Sequence, residues 1–183
     1  MNFVIAKKYL CFDAILEMIV ADVTSTSYFS QDYFSELLGI TILIGEQTTV
    51  KRVKYTENIE ECGTKINVKD INAFFHKHSI PLQMSFVKSN YLDEMTFTDY
   101  IFSKSKKTYI VFAFCYGLLF DDPQNNYVGH VALFESIDVK NDTIKIYDPG
   151  PRNYGSKIVK AGDMLCAMKR RGGVYLFEKE EIY

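Results

Sequence analysis

The stretch GHVALFESIDVKNDTIKIYDPGP, residues 129–151, decides how the chain is read. Its β-branched and apolar runs, interrupted by Lys140-Asn141-Asp142, predict two strands at about 127–137 and 142–148, paired across a tight turn. One of only three histidines, His130, stands on the first strand. The second strand ends at Asp148, which Pro149 holds extended. A hairpin turning near 139–142 brings the two residues to the same end. A carboxylate there accepts a hydrogen bond from one imidazole nitrogen. That bond fixes the tautomer and leaves the other nitrogen for a nucleophile.

The residues before the hairpin supply helices first and strands later. CFDAILEMIVAD (11–22) has a wide apolar face and predicts a largely buried helix. SQDYFSELLG predicts a second helix, capped by Ser30 or Asp32 and ended by Gly39. ITILIGEQTTVKRV fits strand or helix, and its β-branched content favours strand. Residues 55–65 read as loop. VKDINAFFHKHS predicts an amphipathic helix, PLQMSFV a short strand, and TFTDYIFSKS another helix. KTYIVFAFCY is nearly continuous in apolar residues and predicts a central strand buried on both faces. GLLFDDPQNN reads as a loop, with Asp121 and Asp122 as candidate contacts for a basic ligand. AGDMLCAMKRR predicts a helix that Gly172 and Gly173 end, and VYLFEK predicts the last strand. The order implies an α+β chain with N-terminal helices packed on a mostly antiparallel β-sheet, as a single domain over 1–183.

Composition narrows the function classes. The 183 residues are 48% hydrophobic and 24% charged, enough for a proper core and unlike a disordered chain. A formal charge of −2 supplies no broad basic field, which disfavours nucleic acid as a partner. The four cysteines are widely spread and show no CxxC or HxxxH spacing, so neither a metal site nor a disulfide framework is expected. Reduced thiols point to a cytoplasmic setting. Lys7, Lys8, Asp13 and Glu17 interrupt the N-terminal apolar runs, so neither a signal peptide nor a membrane span is expected. Nothing in the chain calls for a cofactor; no Gly-rich phosphate loop follows a strand.

Cys11 stands at the start of the first helix. The unpaired N–H groups and positive dipole end of a helix N-terminus favour thiolate, and the same N–H groups can donate to an oxyanion. Cysteine at a helix start, histidine on a later strand and aspartate at the end of the next strand form an ordered constellation for nucleophilic catalysis. His76 and His78 lie in a polar helical tail and read as a solvated face.

Three segments carry a resemblance. CFDAILEMI, GTKINVKDINAFFHKHSIPL and GHVALFESIDVKNDTIKIYDPGP are together similar to the bacteriocin-processing (double-glycine leader) peptidase family and its relatives in the papain-like cysteine peptidase superfamily. The similarity runs over about residues 9–178. It implies a papain-like cysteine protease fold acting on a peptide or protein substrate through a thioester, with peptide-bond hydrolysis as the default outcome. It makes Cys11 the nucleophile, His130 the general base and acid, and Asp148 the orienting carboxylate. It also assigns Cys62 to the loop before the middle helix. Deamidation of glutamine, acyl transfer to an amine, or a catalytically degenerate binding module are the alternatives. The glutamine that donates to the oxyanion in that family corresponds to Ile5 here, which leaves Asn2 and Gln47 as candidate oxyanion amides.

Overall fold

The computed structural model describes residues 1–93, 96–125, 128–151 and 153–180, the Arg171 side chain apart. The expected start of the hairpin at Tyr127 lies outside the described residues. The chain divides into two compact units, Met1–Ile80 with Pro149–Tyr154, and Pro81–Asp148 with Gly155–Tyr183. Both units are discontinuous in sequence.

In the first unit, α1 (Cys11–Thr24) is buried around most of its circumference, as its wide apolar stripe implies, and Ser25 closes it in the left-handed conformation. Helix α2 (Gln31–Leu38) begins where the Ser30 hydroxyl accepts from the Tyr33 N–H, one of the two caps expected. Helix α3 (Val68–Lys77) follows the Asn67 cap. A small sheet has the order β2-β1-β3, with β1 (Ile40–Leu43) parallel to β2 (Val53–Thr56) and antiparallel to β3 (Gly63–Thr64). Leu10, Ile40, Ile42 and Val50 form the core on one face of it. The segment 40–53 is therefore split into two strand pieces. The stretch 55–65 is not all loop. It holds the end of β2, a 3-10 turn at Ile59–Glu61 and β3. These are short edge pieces with exposed polar residues, so no apolar alternation announces them.

The second unit is built on a six-stranded sheet of order β4-β9-β5-β6-β7-β8, antiparallel throughout. Its strands are β4 (Leu82–Lys88), β5 (Thr108–Cys115), β6 (Gly129–Asp138), β7 (Thr143–Asp148), β8 (Gly155–Lys160) and β9 (Gly173–Lys179). Strand β5 lies between β9 and β6, and Ile110, Val111 and Phe112 have no exposed surface, so both faces are buried as expected. One face carries Ile110, Phe112, Phe114, Ala132, Ile144, Ile146, Val174 and Leu176, and α4 (Phe97–Lys104) and α6 (Ala161–Arg171) pack on it through Phe97, Ile101, Met164, Leu165 and Met168. A short helix α5 (Tyr116–Leu119) and a 3-10 turn (Pro123–Asn125) occupy the segment read as a loop. There the Asp122 carboxylate accepts from Gln124 N and Asn125 Nδ2, so it serves as a local cap, and Asp121 takes a left-handed φ of 50°. Strand β8 was not anticipated. It is an edge strand with only alternate residues half-buried, and its lysines mask the pattern. The chain is thus α+β with a mostly antiparallel sheet. Among the described residues, no helix is long and apolar enough to cross a membrane.

Candidate active site

His130 and Asp148 lie on the same face of the sheet, and a bulge puts them there. At the turn end of the hairpin, Asp138 pairs with Thr143 and Ile137 with Ile144. Continued unbroken, that register would set Asp148 opposite Leu133, on the face away from His130. The register shifts between Phe134 and Ser136, leaving Glu135 unpaired, and beyond it Leu133 faces Tyr147. Asp148 then falls opposite Ala132, two residues from His130, and the two side chains become diagonal neighbours. The Glu135 carboxylate ties the bulge down. It accepts from Ser156 Oγ at 2.6 Å on β8 and faces Lys145 Nζ at 2.8 Å on β7.

The result is a 2.7 Å contact between His130 Nε2 and Asp148 Oδ1, with side-chain exposures of 10% and 1%. A carboxylate only accepts, so Nε2 carries the proton and Nδ1 is the nitrogen for proton exchange. Phe114, directly opposite His130 in the β5–β6 register, meets the imidazole edge-on at 5.6 Å, and Tyr116 does so at 5.3 Å. These rings restrict the imidazole's rotation. The second carboxylate oxygen faces Lys157 Nζ at 3.5 Å. Lys157 pairs with Ile146 across β7–β8, which places it on the same face as Asp148. It also stands over the Phe120 ring at 5.7 Å. Lys157 was missed in the sequence because its strand was missed. The Ser-Lys-Ile-Val-Lys alternation was the available signal.

In the first unit, Cys11 is the first residue of α1 and is half-buried. Leu10 before it makes no side-chain cap, so the first-turn N–H groups are not taken up by one. The lead into the helix is held firmly. Lys7 O accepts from Leu10 N at 3.0 Å, closing a tight turn in which Tyr9 has φ 70°, a left-handed conformation usually left to glycine. The Gln31 carboxamide, 7% exposed, accepts from Lys7 N and donates to Ile5 O. Ala6 N donates to Pro149 O at 2.7 Å. Thr64 Oγ1 contacts both Tyr9 O and Asp13 Oδ2. Gln31 and Thr64 therefore position the lead and first turn around Cys11. Their signal in the sequence, a polar residue inside an apolar helix pattern and a Gly-Thr pair, is too common to single them out.

Asp13 has no exposed surface, and its Oδ1 has no hydrogen-bond partner. Burial pushes its carboxyl up to about 7, the Thr64 hydroxyl and its own backbone N–H oppose that, and the Asp32 charge adds to it. Cys62 lies between the 3-10 turn and β3, ahead of α3. Burial, with the Glu46 and Glu61 carboxylates, pushes its thiol up, which disfavours thiolate there. Cys115 is buried and Cys166 exposed. Asn2 is exposed in the lead. Gln47 is exposed on the rim of a cleft of about 360 Å³ shared with Lys7, Lys8 and Thr48. His78 packs edge-on against Phe29 within an aromatic cluster with Phe74, so it is more than a solvated face.

No protein-family model matches the chain, and no curated protein matches it.

Proposed function

We propose that the chain is a papain-like cysteine enzyme that cleaves a peptide bond through a thioester, with Cys11, His130 and Asp148 as its triad. The observation that carries this reading is the 2.7 Å bond from His130 Nε2 to Asp148, made in a nearly solvent-free setting. A buried carboxylate is costly unless compensated, so a histidine–aspartate pair on a core face needs a reason beyond packing. Cys11 at the open N-terminus of α1 supports the nucleophile's assignment, and the raised Cys62 thiol argues against the alternative.

In this reaction the Cys11 sulfur attacks the carbonyl carbon and its proton passes to His130 Nδ1. The imidazolium, steadied by Asp148, returns that proton to the leaving amine as the C–N bond breaks. Water then attacks the thioester, gives its proton to Nδ1, and releases the carboxylic acid and the thiol. The oxyanion is served by the first-turn N–H groups of α1, with Asn2 and Gln47 as the candidate amides.

The test uses the full chain with Cys62 and Cys166 changed to serine. Cys11 should react with iodoacetamide near neutral pH at least roughly tenfold faster than a free peptide thiol, and His130→Ala should abolish the excess. Reaction at the peptide rate would end the enzyme reading. Mass spectrometry of a peptide library then separates cleavage from deamidation or acyl transfer.

One observation favours a second reading, a binding relative of such enzymes. The residue at the family's glutamine position is the exposed Ile5, and the buried Gln31 spends its carboxamide on the lead. Loss of one oxyanion donor costs about two to three powers of ten in rate. Fast labelling of Cys11 without turnover of any peptide would select this second reading.

A further inference from the structure

The outer face of the small sheet in the first unit carries a cleft of about 570 Å³ with an unbalanced charge. Lys51, Arg52, Lys54 and Lys65 line it, against the single carboxylate of Glu61. All five are exposed. Lys7, Lys8, Lys104, Lys145 and Lys157 each face a carboxylate within ion-pair distance, whereas these four cations have no such partner among the described residues. Glu61 is engaged by the Thr56 hydroxyl, and Glu36 accepts from the Lys51 backbone N–H. Gathering four like charges in a chain of net charge −2 opposes folding locally, and an anionic ligand relieves that repulsion.

The floor of the cleft follows from the register. Thr41 of β1 is flanked by Lys54 on one side and Gly63 on the other, and it points away from the Ile40 and Ile42 core. A Cβ at Gly63 would meet nothing within 4 Å, so the floor is open beside the Thr41 hydroxyl. The Arg52 guanidinium is anchored by donating to Leu37 O, and Lys65 N donates to Gly39 O. Among the described residues no aromatic side chain lines the cleft, so bases would find no stacking platform. The cations stand around an open trough that the C-terminal end of α2 borders, and among the described residues no helix N-terminus lines it to hold one compact phosphate. Several carboxylates spaced along a chain fit that distribution.

We propose that this cleft is a docking site for an acidic stretch of a polypeptide, on the face of the small sheet opposite its core. The test measures binding of a fluorescently labelled oligoglutamate peptide to the full chain by anisotropy. Binding should weaken steeply with added salt, and Lys54→Glu with Lys65→Glu should weaken it by roughly tenfold or more. The control pair Lys106→Glu with Lys107→Glu, equal in charge change, should leave it nearly intact. If the double glutamate variant fails to fold by circular dichroism, Lys54→Gln with Lys65→Gln replaces it. No binding at low salt, equal loss in the control pair, or tighter binding of tripolyphosphate or oligothymidylate would each overturn the proposal. His130→Ala should bind as the parent does, so this site stands or falls apart from the catalytic reading.

Discussion

His130 and Asp148 meet because β6 absorbs one extra residue in a bulge. Glu135 is that residue, and the register change it produces moves Asp148 from the face of Leu133 to the face of His130. Deleting Glu135 should remove the bulge and leave Phe134–Ile146 and Ser136–Lys145 as neighbouring pairs of an unbroken ladder, with Asp148 still opposite Ala132. The expected outcome is that the hydrogen-bonded His130 ring proton in the NMR spectrum and the enhanced Cys11 alkylation are both retained. Glu135→Ala keeps the extra residue and removes only the ties to Lys145 and Ser156, so it should retain the ring proton signal. If deletion abolishes that signal, the pairing register does not by itself hold the two side chains together.

Asp148 is nearly sealed from solvent between His130 and Lys157. Asp148→Ala leaves both partners facing a void and should cost about 3 kcal/mol in urea unfolding. Asp148→Asn keeps an acceptor for Nε2 and should cost less than half of that, while still slowing the alkylation of Cys11 because the imidazolium loses its counter-charge. Lys157→Met should cost about 1 kcal/mol, since the lysine is 24% exposed and water replaces part of the pairing.

Gly172 and Gly173 do more than end α6. A Cβ at Gly172 would fall 1.7 Å from Ala113 O, and one at Gly173 would fall 2.2 Å from Val87 O. Strand β9 enters the sheet between β4 and β5 at this point, so the obstacle on each side is backbone and cannot swing away. Gly172→Ala should exceed the roughly 3 kcal/mol typical of overpacking and leave little folded protein. A well-folded Gly172→Ala variant, judged by its thermal transition, would show that the strands can part there.

The hairpin, the buried central strand and most helices were legible because each has a periodicity of its own. His130 and Asp148 stood out because histidine is scarce and Asp-Pro ends a strand. Their shared face was not legible, since one unpaired residue in the ladder leaves no mark on the hydrophobic pattern. Strand β8 and Lys157 were lost for a related reason: an edge strand half-exposed on alternate residues resembles a polar loop. The close approach at Gly172 is a contact with Ala113 of β5, 59 residues away in sequence, which no local pattern encodes. Gln31 and Thr64 act through long-range hydrogen bonds to the lead and first turn of α1, and composition around them is ordinary.

Asp13 makes stability depend on pH in a direction opposite to most carboxylates. Its acid form is favoured by burial, with a folded value of about 7 against 3.8 in a model peptide. Below pH 4 the carboxyl is protonated whether the chain is folded or not, and it adds no penalty. Between about 4 and 7 the unfolded chain releases the proton and the folded chain keeps it, so stability falls as pH rises. Above 7 the full penalty stands, on the order of 4 kcal/mol. Asp13→Asn removes the titration while keeping an acceptor for Thr64. Its stability relative to the parent should therefore rise by a few kcal/mol between pH 5 and pH 8 in urea unfolding. Thr64→Val should have the reverse effect, because it takes away the hydroxyl that favours the ionised form. Parallel pH profiles for parent and Asp13→Asn would mean that Asp13 does not titrate in this range and that its orphaned oxygen is satisfied in solution.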